Sequence, residues 1–260
     1  MKATMTLSST KLVNTKSTFF AGLALAMLSS TCFADGAAHW GYEGKVGPSN
    51  WGSLEKEFAT CKVGQMQAPI DILTKAAAPA SAPIAAKYKA SAGEIINNGH
   101  TIQVALPDGG SAILSGTDYK LLQFHFHTPA EEKVDGKGYP FNAHMVHKSA
   151  DGKLAVIGIL FKEGNENKSL KDIFANMPSK EGKVALKSNF DASSMLPSSL
   201  AYYSYAGSLT TPPCSEGVSF YILKAPVELS KNQLNAFQKV FKMNARPLQP
   251  LNGRKITQSS

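Results

Sequence analysis

Residues 120–127 read Lys-Leu-Leu-Gln-Phe-His-Phe-His and end in strict alternation of aromatic and polar positions. Side chains point to opposite faces in turn along a strand, so His125 and His127 share one face and Phe124 and Phe126 the other. Residues 140–148, carrying His144 and His147, predict a second strand. The polar segment between contains Asp135-Gly136 and Lys137-Gly138, which can turn the chain back as a hairpin. Residues 94–105 read strand, turn, strand, with Asn98-Gly99 as the turn signal and His100 at the bend, the place of an exposed loop histidine. Residues 153–161 are a continuous apolar run, the pattern of a buried central strand. The period becomes helical twice. Leu170, Ile173, Phe174 and Met177 recur at helical spacing until Pro178 stops them. Ser230 and Gln233 form a capping box ahead of Leu234, Phe237, Val240 and Phe241. No internal repeat is present, and strands dominate: the class is mainly β (α+β), in one domain.

The N-terminal residues change the picture. Lys2, Lys11 and Lys16 precede an apolar run over 19–28 that is short for a bilayer span, and Cys32-Phe33-Ala34 offers small residues for cleavage. Residues 1–34 therefore read as a signal peptide and 35–260 as one domain, exported to the periplasm or secreted. Cys32 sits in a poor lipidation context. Its loss leaves Cys61 and Cys214, and an even pair in an oxidising compartment reads as one disulfide. Net charge is +8 overall, with lysines scattered and no basic stripe, which argues against nucleic acid. No later segment is apolar enough to cross a membrane. Paired aromatics and glycines at His39-Trp40-Gly41-Tyr42 and Trp51-Gly52 suggest an arm pinned to the core, and the Ala- and Pro-rich residues 75–86 read as a surface loop.

Candidate chemistry follows from the strands. Two imidazoles on one strand face and a third from a hairpin partner match the ligand set of a catalytic zinc site, three nitrogens with one position open. Residues 208–213, Ser-Leu-Thr-Thr-Pro-Pro, form a rigid loop of preorganised hydroxyl and N–H donors.

Together these stretches resemble the α-class carbonic anhydrases of the bacterial, exported type. The matching runs begin at His39, Gln67, Asn97, Gln123, Ala143, Ser208 and Asn244 and keep the family's order over nearly all of the chain after the leader. The resemblance implies a central, largely antiparallel twisted sheet of about ten strands with short surface helices. It implies reversible hydration of carbon dioxide to bicarbonate and a proton by zinc-bound hydroxide, with side esterase activity. Carried over by position, His125, His127 and His144 would hold Zn2+, and His147, on the other face from His144, would not. Thr210 would orient the nucleophile, with Glu131 taking that threonine's proton. Thr211 would lie beside the substrate, and Val146, Val156, Leu209 and Val218 would form the apolar wall for carbon dioxide. His100 would be the proton shuttle, reversing its reading as a plain loop histidine. Gln123 would support the first histidine, and Cys61 and Cys214 match the family's disulfide. Sulfonamides and anions would inhibit, and a homodimer is an allowed assembly.

Three positions depart from the pattern. Asn142 stands where the family usually has a glutamate behind the third histidine, Phe220 where many members have tryptophan, and Glu132 where many have histidine. The expectation is that Asn142 accepts the His144 N–H through its carbonyl and leaves a softer metal site, one that Asn142→Glu would tighten. Glu132 and Phe220 are expected to adjust packing only. Two other readings compete: a carbonic-anhydrase-like module that only binds partners, and a cupin, whose first metal motif fits His125, His127, Glu131 and Gly138 but whose last histidine comes from a later motif.

Overall fold

The computed structural model describes residues 40–79 and 82–259. The leader, its cleavage site, Cys32, His39 and two residues of the Ala- and Pro-rich loop lie outside the described residues. Among those described, thirteen strands form one twisted sheet and a further pair, Asp71–Ile72 with Lys133–Val134, stands apart. Ten strands lie along the main path of the sheet, in agreement with the expected number; three more, Ala85–Tyr88, Gly110–Leu114 and Val227–Leu229, pair off it. At the centre Phe141–Ser149 lies between Thr117–His127 and Leu154–Glu163 and runs antiparallel to both. Leu154–Glu163 then pairs parallel with Glu216–Leu223 and with Val227–Leu229, so the sheet is mixed.

Burial explains which face each histidine takes. On Thr117–His127 the core side chains are Tyr119 and Leu121, then Phe124 and Phe126. The change of parity comes from a bulge: Leu121 opposes His147 but Gln123 opposes Val146, so Leu122 is an extra residue. A bulge of one residue re-aims everything beyond it. Gln123, His125 and His127 thereby leave the core face, and Leu122 is left exposed. The central strand Leu154–Glu163 has both faces covered, which is why its sequence is apolar without alternation. Ile157, Ile159 and Phe161 enter the larger core with Phe126, Phe141, Phe174 and Phe237; Val156 and Leu160 enter a second core with Phe220 and Ile222.

The helices follow their sequence signals. Lys171–Asn176 ends at Met177 and buries Ile173 and Phe174. Lys231–Gln238 opens with both halves of the Ser230–Gln233 capping box and buries Leu234 and Phe237. Val240 and Phe241 lie past its end, packed against the same core. The connection between the two histidine strands is no tight hairpin. It leaves the sheet, pairs Lys133–Val134 with Asp71–Ile72, and turns at Asp135 and Gly136, both with positive φ. That excursion places Glu131 and Glu132 beneath the imidazoles.

Candidate metal centre

His125 and its direct antiparallel partner His144 face each other across two strands, with His127 two residues along. One ring nitrogen from each lies within 4.8 Å of those from the other two. His127 and His144 are buried, and His125 keeps a partly exposed edge.

The remaining nitrogen of every ring meets an acceptor. His125 Nδ1 donates to Gln123 Oε1 at 2.9 Å, and His127 Nδ1 to the Asn244 carbonyl at 2.8 Å. His144 Nε2 donates to the Glu132 carboxylate, 3.1 and 3.2 Å from its two oxygens. Only a protonated nitrogen can donate, so each ring is held in the tautomer whose lone pair faces the other two. His127 Nε2 is buried with no hydrogen-bond partner, and so is Glu131 Oε2. Yet that oxygen lies 3.5 Å from His127 Nε2 and 3.7 Å from His144 Nδ1. Unpartnered acceptors packed this closely repel unless a cation or proton lies among them. Three neutral nitrogens and an open side are what zinc takes at a catalytic site, so the residues present fit that ion.

The protein's own groups keep the first two rings neutral. Burial, then His144, pushes His125 down to about 3. Burial and both neighbouring rings hold His127 well below the ordinary histidine value. Burial acts the same way on His144, but the charge and hydrogen bond of Glu132 and the charge of Glu131 outweigh it and leave that ring raised. Burial first, opposed by His144 and reinforced by Glu132, pushes Glu131 up to about 7.

Around this centre lie the other expected residues. Glu131 Oε1 accepts the Arg246 backbone N–H at 2.8 Å, and the Thr210 hydroxyl approaches the same carboxylate and lowers its proton affinity. Val156 and Val218 are buried in one apolar cluster with Phe220, and Val146 and Leu209 pack on it. Thr211 begins the turn that ends at Cys214, its carbonyl accepting that N–H at 2.9 Å. Cys61 and Cys214 are joined as a disulfide. His100 is stacked on Trp40, ring centroids 3.6 Å apart and nearly parallel. The cleft beyond it, about 330 Å³ between Tyr42, Phe241 and Met243, is lined by none of the three imidazoles.

Two expectations are corrected. Asn142 does not present its carbonyl to His144: its Nδ2 donates to Glu132 Oε2 at 3.0 Å and its Oδ1 has no partner. Glu132 does more than pack, since it is the acceptor for the His144 ring. Sequence reasoning also assigned no role to Asn244 and Arg246. Asn244 holds His127 through its carbonyl, and through its side chain the Thr128 N–H and the carbonyls of His100 and Phe126. Arg246 ties Glu131 to Gln67, Ala68 and Cys61. The signal was present as polar residues inside the apolar, Pro-rich run 243–250, where a buried Asn or Arg must find partners.

The model of the eukaryotic-type carbonic anhydrase family matches residues 46–260. The chain belongs to this family of enzymes. A carbonic anhydrase of Pectobacterium carotovorum is 41% identical over 239 residues, covering 90% of this chain and 98% of its own. Among solved structures, the α-carbonic anhydrase of Thermovibrio ammonificans in complex with the inhibitor sulfanilamide superposes with a TM-score of 0.83 at 47% identity, over 85% of this chain and all of that one. Dioscorin complexed with ascorbate shares the fold at a TM-score of 0.79 and 30% identity, over 85% and 97% of the two chains. The family and its sheet rule out the cupin reading. Among the described residues no helix is long and apolar enough to cross a membrane.

Proposed function

We propose that the chain catalyses the reversible hydration of carbon dioxide to bicarbonate and a proton, with zinc held by His125, His127 and His144. One observation carries the reading: three imidazoles, each locked by an outer acceptor, turn their free nitrogens toward one another within 4.8 Å. A zinc ion there supplies the Lewis acidity that makes water nucleophilic near neutral pH, a principle for which carbonic anhydrase is itself the standard illustration. A module that only binds partners has no use for such a set.

The protein's residues do the rest. Thr210 donates its hydroxyl proton to Glu131, so its oxygen can only accept from the attacking water's O–H and thereby aims that water's lone pair. A neighbouring cation favours the ionised carboxyl, which keeps Glu131 an acceptor at neutral pH. Val146, Val156, Leu209 and Val218 offer apolar surface to a substrate without net dipole, and Thr211 serves beside that substrate. The reaction takes one water and one carbon dioxide and releases one bicarbonate and one proton. His100 carries that proton outward on its imidazole, the side-chain type suited to proton transfer at neutral pH. Residues 1–34 direct export and are removed, consistent with the Cys61–Cys214 disulfide.

Stopped-flow hydration by purified protein, with and without sulfanilamide, tests this reading. Rapid hydration abolished by the sulfonamide is expected. Hydration no faster than buffer, from protein that is folded and zinc-loaded, would contradict it.

A further inference from the structure

The His144 ring is held by a carboxylate that arrives from an unexpected place. Glu132 is fully buried in the segment that leaves the Thr117–His127 strand, while Asn142 lies on the strand that carries His144 itself. Three donors converge on Glu132: His144 Nε2 at 3.1 Å, Asn142 Nδ2 at 3.0 Å and the Tyr205 hydroxyl at 3.4 Å. Asn142 Nδ2 also lies 2.9 Å from His144 Nε2, but both nitrogens carry protons and cannot bond each other. Turning the amide over would put Oδ1 against Glu132 Oε2, two acceptors in contact, and would lose the charge-assisted bond that the Asn142 amide gives the buried carboxylate. Tyr205 in turn is stacked on Phe220, 4.9 Å between centroids, and Phe220 meets the edge of the His144 ring at 5.8 Å. The buried charge is thus satisfied on each side that faces the imidazole.

We infer that in this chain Glu132, not residue 142, orients and polarises His144, and that Asn142 and Tyr205 position the Glu132 carboxylate. The departures at 132 and 142 are then one change: the negative charge has moved from one residue to its hydrogen-bonded neighbour. Supporting groups of this kind raise the basicity of a ligating imidazole, and changing one typically costs about 10–100-fold in metal affinity or activity. The inference rests on the reading of His144 as a zinc ligand.

The test is zinc retention against a chelator, starting from zinc-loaded protein. Glu132→Gln keeps the shape and removes the charge, and should release zinc at a chelator concentration about 10–100-fold lower than the parent does. The double variant Glu132→His with Asn142→Glu puts the carboxylate back on the His144 strand and should retain zinc as the parent does. A residue needed only for packing would not be rescued by moving its charge. Asn142→Glu alone should hold zinc no more tightly than the parent and should melt lower, because it buries a second carboxylate beside the first. If Glu132→Gln folds and keeps zinc as the parent does, the inference fails. If Glu132→Gln does not fold, the double variant decides: a folded double variant that still sheds zinc early overturns the inference. If the parent carries no zinc at all, it is the metal reading that fails.

Discussion

His147 and His144 lie three residues apart on one strand and have opposite fates. His144 faces Glu132 and the other two imidazoles. His147 faces the core, fully buried, with Tyr88 Oη at 2.8 Å from its Nε2. Burial pushes His147 down to about 4. Only its neutral ring suits the folded chain, so between pH 6.5 and about 4 the unfolded chain takes up a proton that the folded chain refuses. Stability therefore falls as pH falls through that window, by about 3 kcal/mol for this group. Urea unfolding at pH 7 and pH 4.5 should show the parent losing more stability than His147→Gln; equal losses would remove His147 from the account. His100 makes a different prediction. Its Ala variant should turn over slowly in weak buffer and recover with added imidazole, because only proton export is impaired. An unchanged rate in weak buffer would assign the shuttle elsewhere. Alternation alone separated His144 from His147, since parity along a strand is decided by sequence. It could not find Glu132, which lies outside any periodic segment and acquires its partners only when the Phe141–Ser149 strand and the Tyr205 ring close over it.

At the scale of elements, the site hangs on a bulge and a tied loop. The extra residue Leu122 sets the face of Gln123, His125 and His127, and nothing in an apolar pair such as Leu121-Leu122 announces which of the two will be extruded. The three central strands were legible because their patterns are long. Short strands such as Ala78–Pro79, Val227–Leu229 and Thr257–Gln258 were not, for two or three residues carry no period. The Thr210 loop is anchored at its far end by Cys214, bonded to Cys61, whose carbonyl accepts Arg246 Nη2 at 3.0 Å. Gln67 links the same parts, donating to the Cys214 carbonyl at 3.1 Å and accepting Arg246 Nη1 at 2.9 Å. Replacing both cysteines by serine should lower unfolding stability by about 2–5 kcal/mol, as loss of a long-range disulfide typically does. Denaturant titration of parent and variant under non-reducing conditions checks this; a variant as stable as the parent would mean that the loop is held without the bond.

At the scale of the molecule, the fold serves to bring distant residues to one ring of nitrogens. His127 depends on Asn244, 117 positions away, and Glu131 on Arg246, 115 positions away. Such contacts are invisible to any local pattern, which is why the ligand face and its neighbour Gln123 were legible and the distant supports Asn244 and Arg246 were not. The same architecture surrounds the imidazoles with apolar clusters and gives each ring a hydrogen bond from its outer nitrogen. The most direct measurement is hydration of carbon dioxide followed by stopped flow on one preparation through three states: as purified with its zinc content determined, after stripping with a chelator, and after zinc is restored. The account predicts one zinc per chain, loss of hydration when it is removed and recovery when it returns. Rapid hydration by the zinc-free protein would contradict it.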